Sequence, residues 1–141
     1  MNKSVVTGIL VRNDKNQVLL VKKPDNVGPY AGMLLTPGGG VKTGESSDQA
    51  ALRKLYEETG VKVTNLKREV FDDAVTKNWK GDKTHYIMLL YTGDLVSGDL
   101  KPTEGDDDNL EIIKWFTPDE LKDLQLSPPL KKFLIHLGYQ V

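Results

Sequence analysis

Residues 37–61 read PGGGVKTGESSDQAALRKLYEETGV, and this stretch decides how the chain folds. Three consecutive glycines lead through a polar segment to a helix predicted over Ser46 to Thr59. Ser46 and Gln49 have the spacing of a capping box, in which each side chain satisfies the other's backbone N–H. Asp48 suits the positive start of the helix, and Gly60 suits the left-handed position past its end. Residues three and four apart share a helix face. Ala51 and Leu55 therefore lie on one side, bordered by Ala50 and Leu52, and can pack against a sheet. Arg53, Lys54, Glu57 and Glu58 occupy the other side. Glu57 and Glu58 are expected to project outward together near the C-terminal end of the helix. Two carboxylates at that negative end repel each other unless a cation is present. An all-oxygen pair of this kind suits Mg²⁺ or Mn²⁺. Gly38, Gly39 and Gly40 leave room for the backbone to approach a metal-bound phosphate. The other reading of Arg53–Glu57 and Lys54–Glu58 is a pair of i,i+4 surface ion pairs worth about 0.2–0.5 kcal/mol each.

The flanking sequence alternates strand and helix signals. Residues 4–11 and 17–22 are rich in Val, Ile and Leu and flank the polar turn RNDKN, which predicts two strands. A loop with Pro24, Gly28 and Pro29 leads to a short strand at Met33–Thr36, and PGGG follows as a glycine-rich loop. Strands are expected over 61–71, 85–91 and 110–116. Thr117-Pro118-Asp119-Glu120 opens a short helix. A final helix starts near Ser127 or Pro128, carries Leu130, Phe133, Leu134 and Leu137 at i, i+3, i+4, i+7, and stops at Gly138. The expected class is α/β (α+β), with a mixed sheet and helices inserted between strands.

With 141 residues the chain suits one domain, 1–141. Lys plus Arg is 19 and Asp plus Glu is 20, a net charge of −1. Bulk attraction to a nucleic-acid polymer or an anionic membrane is therefore not its main work. The chain has no Cys, which excludes a disulfide framework, a thiolate zinc site and a cysteine nucleophile. No apolar run approaches the roughly 20 residues of a spanning helix, and residues 5–11 lack the pattern of a signal peptide. A cytoplasmic protein is expected.

The stretch resembles the box of the Nudix hydrolases (MutT-type pyrophosphohydrolases). That signature is Gly, five residues, Glu, seven residues, Arg-Glu, an aliphatic, any residue, Glu-Glu, any residue, Gly and an aliphatic. Here it falls on residues 39–61, at Gly39, Glu45, Arg53, Leu55, Glu57, Glu58, Gly60 and Val61. The remaining position, Lys54, departs from it. Weaker echoes are Gly28-Pro29-Tyr30-Ala31-Gly32 before the box and Trp115-Phe116-Thr117-Pro118-Asp119-Glu120-Leu121 after it. The resemblance implies the Nudix fold, a mixed sheet sandwiched between helices, and Mg²⁺- or Mn²⁺-assisted cleavage of a nucleoside diphosphate linked to another moiety.

Carried over by position, Glu57 and Glu58 would be metal ligands together with the backbone of Gly39. Arg53 would orient a glutamate, Glu45 would support the loop and helix, and Gly38–Gly40 would approach the phosphate. The family's glutamate at position 54 often binds metal or takes a proton from water. A lysine ammonium has three donors and no acceptor. At ~6 Å and an effective dielectric near 20, each unit charge is worth about 3 kcal/mol at the ion, so reduced metal affinity and turnover are expected. A replacement carboxylate is sought in the acidic segment 104–111, with Asp108 and Glu111 as candidates and Asp72 and Asp73 behind them. Glu111 enters the catalytic set as a lone acid in an apolar strand. Tyr30 is a candidate for the base, with Trp79 and Tyr86 as alternatives; packing roles compete for all three. His85 and His136 have no partner at ligand spacing.

The proline, tyrosine and upstream signatures of the ADP-ribose, dinucleoside-polyphosphate and coenzyme A classes are absent. A nucleoside triphosphate remains as the expected substrate. A nucleotide-binding module without catalysis is the alternative that Lys54 favours. Family members often dimerise, so a homodimer is among the expected partners.

Overall fold

The computed structural model describes residues 1–25, 28–101 and 110–141. The chain runs β1 (Asn2–Arg12), β2 (Val18–Lys22), β3 (Leu34–Leu35), β4 (Gly38–Gly40), α1 (Ser47–Thr59), β5 (Lys62–Lys77), β6 (Lys83–Ser97), β7 (Ile112–Phe116), a 3-10 turn at Glu120–Asp123, and α2 (Pro128–His136). The strands join one mixed sheet in the order β3-β2-β1-β6-β5, with β4 pairing to β1 and β7 to β2. β1 and β6 are parallel over the full length of β1, from Asn2 opposite Thr84 to Arg12 opposite Asp94. The other pairings are antiparallel. Among the described residues no helix is long and apolar enough to cross a membrane.

Alternation along the strands sends successive side chains to opposite faces. Leu10, Leu20, Met88 and Leu90 join Leu130, Phe133 and Leu134 of α2 in one core. Ile9, Val11, Leu19 and Tyr91 join Ala51 and Leu55 of α1 in the other. The sheet thus lies between two helices, as the resemblance implied. Each fully buried Leu contributes about 1.5–3 kcal/mol by leaving water.

Helix α1 begins as its sequence predicts. The Ser46 hydroxyl accepts from Gln49 N at 3.1 Å and the Gln49 side chain accepts from Ser46 N at 2.9 Å. Gly60 ends it at φ +76°, donating its N–H to Tyr56 O at 2.8 Å. The Tyr91 hydroxyl meets Asp48 at 2.6 Å and Ser47 at 2.7 Å, fastening the start of the helix to β6. Leu52 falls on the exposed side. In α2, Ser127 accepts from Leu130 N at 3.3 Å and prolines occupy the first helical positions.

Several local features differ from the sequence reading: the short helix expected after Thr117 is a 3-10 turn, and β7 starts at Ile112 where the strand was expected from 110. The glycine run is a strand, paired to β1 through Val6–Gly40, Thr7–Gly39 and Gly8–Gly38. Its approach is too close for a side chain: a Cβ on Gly38 would lie 1.9 Å from Thr7 O. The strands expected at 61–71 and 85–91 are also longer, because β5 and β6 form one long antiparallel hairpin, irregular in register between Lys62 and Val70, that carries polar residues well beyond its apolar centre.

Candidate active site

Strand β4 delivers the chain into α1, and the box residues gather where the two meet. Arg53 is the organiser. Its guanidinium donates from Nε to Glu45 Oε2 at 2.7 Å and from Nη2 to Glu45 Oε1 at 3.0 Å. Nη2 also donates to Gly40 O at 3.0 Å, and Nη1 reaches Glu57 Oε2 at 3.3 Å. One planar fork therefore binds the loop before α1, the glycine strand and the helix itself, a task that suits Arg better than Lys.

The two neighbouring glutamates do not share a role. Glu57 stays half-buried beside Arg53, with Lys54 Nζ 3.9 Å from its carboxylate. Glu58 is only 1% exposed and accepts from Gly38 N at 2.7 Å. The expectation that both project outward fails for Glu58. Residues one apart on a helix point about 100° apart, and here that turn carries Glu58 beneath the glycine strand.

A cavity of about 290 Å³ opens next to this network. Gly38, Gly39, Gly40, Lys54 and Glu58 form its polar side. Tyr30, Trp79, Tyr86, Met88, Leu90 and Phe133 line the rest. Trp79 is 70% exposed, an orientation that leaves one ring face available for stacking. Burial pushes the Tyr30 and Tyr86 hydroxyls above their ordinary titration range, so both remain neutral donors.

The structure thus brings together Glu45, Arg53, Glu57, Glu58, Gly38–Gly40 and Tyr30. It does not bring in Glu111, whose half-exposed carboxylate pairs with Lys22 Nζ at 3.0 Å outside the cavity lining. Asp72 pairs with Lys132 at 3.2 Å and Asp73 with His85 at 2.6 Å; neither lines the cavity, although the Asp72 charge is near enough to Tyr30 to help raise its hydroxyl. Asp106, Asp107 and Asp108 lie outside the described residues. Sequence reasoning missed Met88 and Leu90 of β6 as lining residues, and read Phe133 as core alone. Tyr86, Met88 and Leu90 alternate on the face that α2 covers, but that pattern marks burial and not a cavity wall.

The donor chemistry fits a hard divalent cation. Mg²⁺ is usually held by one or two carboxylates with substrate phosphates completing its shell; Glu57, Glu58 and the carbonyl of Gly39, which also accepts from Thr7 Oγ1 at 3.2 Å, are the groups that would hold it. Among the described residues no three acidic or histidine side chains form a cage of their own. Lys54 adds positive charge beside Glu57.

The Arg53 hydrogen bonds, with help from Lys42 N, hold the Glu45 carboxyl down to about 2. A depressed carboxyl stabilises the fold above its unfolded pKa, and this contribution fades as pH falls from about 4.5 toward 2. Glu45→Gln should therefore melt below the parent protein at pH 6, and the two should converge by pH 2. Parallel melting curves across a pH series would remove Glu45 from the clamp.

The family model described as the NUDIX domain matches residues 2–137, and the chain belongs to that family. It is 33% identical over 129 residues to the NAD-capped RNA hydrolase NudC of Pseudomonas aeruginosa (strain LESB58), covering 92% of this chain and 41% of that one. The chain therefore spans about two fifths of the length of that relative. It is 30% identical over 140 residues to the nucleoside triphosphatase NudI of Escherichia coli O81 (strain ED1a), covering 95% and 96%. Its fold is similar to that of the crystallised MutT NUDIX hydrolase of Burkholderia pseudomallei, with a TM-score of 0.70, 24% identity and coverage of 84% and 86%.

Proposed function

We propose that this protein is a pyrophosphohydrolase that cleaves the diphosphate of a small nucleotide, with a nucleoside triphosphate as the preferred substrate. The observation that carries this reading is the buried Glu58 carboxylate, hydrogen-bonded to the glycine strand on the wall of an aromatic cavity. The cavity is at the small end of ligand pockets, which favours one nucleoside over two. The similarity to NudI, which runs nearly end to end in both chains, supports the same substrate class.

Glu57, Glu58 and the Gly39 carbonyl would hold Mg²⁺ or Mn²⁺. When bound, the ion supplies charge neutralisation at the diphosphate. The chain's own residues do the rest. Arg53 fixes Glu57 and Glu45 by charge-assisted hydrogen bonds. Gly40, where a Cβ would meet nothing within 4 Å, would let the phosphates lie against bare backbone, and Gly38 and Gly39 hold the strand beneath them. Tyr30, Trp79 and Tyr86 offer ring faces to a base, a contact worth about 1–3 kcal/mol.

The test is release of phosphate, pyrophosphate or nucleoside monophosphate from a panel of nucleoside triphosphates, ADP-ribose, NAD and NAD-capped RNA, with Mg²⁺ and with Mn²⁺. Turnover of at least one small nucleotide is expected, with triphosphates fastest. The NAD-capped RNA arm matters because a relative is named for it, against the charge argument for a small substrate. A panel-wide blank together with a nucleotide-induced rise in melting temperature would favour the binding-module reading, which the lysine at position 54 motivates.

A further inference from the structure

We propose that Lys54 is a diphosphate-binding residue, a built-in cation that lets this site take a nucleotide before any metal is present. The inference rests on the reading of the cavity as a nucleotide site. Lys54 lines that cavity on the same side as Gly39, Gly40 and Glu58. Its stem lies flat on the glycine strand: a Cβ on Gly39 would sit 2.5 Å from Lys54 Cε and 3.2 Å from Cδ. The glycine is what makes room for the lysine. Its side chain is only 15% exposed, and Nζ lies 3.9 Å from Glu57 Oε2.

The position is electrostatically decisive. A diphosphate laid along Gly39 and Gly40 arrives among the carboxylates of Glu45, Glu57 and Glu58 and would be repelled. Arg53 cannot turn to meet it without leaving Glu45, Gly40 O and Glu57. Lys54 can, because an ammonium has three donors and can keep its carboxylate partner while donating to a phosphate oxygen. Lys23 is the other cation among the described lining residues, but it is not one of the groups placed beside the glycine strand by α1. Binding and metal loading would then be separate events, with nucleotide first.

The experiment is calorimetric titration of ADP and adenosine into the full chain, in EDTA and in Mg²⁺, for the parent, Lys54→Gln and Lys23→Gln. ADP should bind the parent in EDTA. Lys54→Gln should weaken that binding by about 10- to 100-fold, change adenosine affinity by less than about twofold, and leave the melting temperature within a few degrees of the parent. Three results would overturn the inference: ADP binding by the parent only when Mg²⁺ is present, unchanged ADP affinity in Lys54→Gln, or a loss confined to Lys23→Gln. Each of those leaves the nucleotide site itself standing. Absence of ADP and adenosine binding under both conditions would overturn the site as well.

Discussion

Glu58→Gln should lower the rate of diphosphate hydrolysis by about 10²- to 10³-fold, the usual scale for removing one preorganised electrostatic group, while leaving the fold intact. The substitution separates two roles of one side chain. Its oxygen Oε1 accepts the Gly38 N–H at 2.7 Å, and the Gln carbonyl can keep that bond. The buried negative charge is what disappears. Removing the acceptor altogether would leave a buried N–H unsatisfied and cost about 1–3 kcal/mol, which is why Gln tests the chemistry better than Ala. The check pairs a rate measurement at saturating Mg²⁺ with a thermal melt. A rate within threefold of the parent would place Glu58 in the architecture and outside the reaction.

Gly38→Ala should have the largest effect on stability. The added methyl would meet Thr7 O at 1.9 Å, Thr7 C at 2.8 Å and Gly8 Cα at 2.9 Å. All three are backbone atoms with no rotamer to yield. Strand β4 would have to part from β1, losing the Thr7–Gly39 and Gly8–Gly38 pairings and drawing Gly38 N away from Glu58. A loss of 4 kcal/mol or more is expected, which at this chain length means a melting temperature lower by on the order of 10 °C. Gly40→Ala is the internal control, since a Cβ there meets nothing within 4 Å. Equal melting temperatures for the two variants would refute the close approach.

Much of α1 was legible in the sequence because its information is local. The Ser46–Gln49 box, Gly60 and the Ala51–Leu55 stripe each act within a turn or two, and each does what its spacing predicts. The box resemblance likewise anticipated the Arg53–Glu45–Glu57 cluster. The misreadings are non-local. That Gly38–Gly40 is a strand depends on Thr7 and Gly8, some thirty residues earlier. That Glu58 turns inward depends on where β4 passes over the helix. Glu111 was expected inside an apolar strand, but β7 begins only at Ile112, and the pairing of Glu111 with Lys22 is a tertiary fact. No periodicity announces that Tyr86, Met88 and Leu90 would end beneath an opening, because core and cavity wall make the same demand on a strand.

The division of the hydrophobic interior by the sheet has an evolutionary corollary. The ionic apparatus is seated by Ile9, Val11, Ala51 and Leu55 on one side, while Met88, Leu90 and Phe133 shape the recess from the other. Odd and even residues of the same strand answer to different masters. If the proposed function holds, substitutions at Met88, Leu90 and Phe133 should retune which nucleoside is accepted while Arg53, Glu45 and Glu57 stay seated from the other side. A combinatorial library confined to that side would sample new specificities on an unaltered reactive framework.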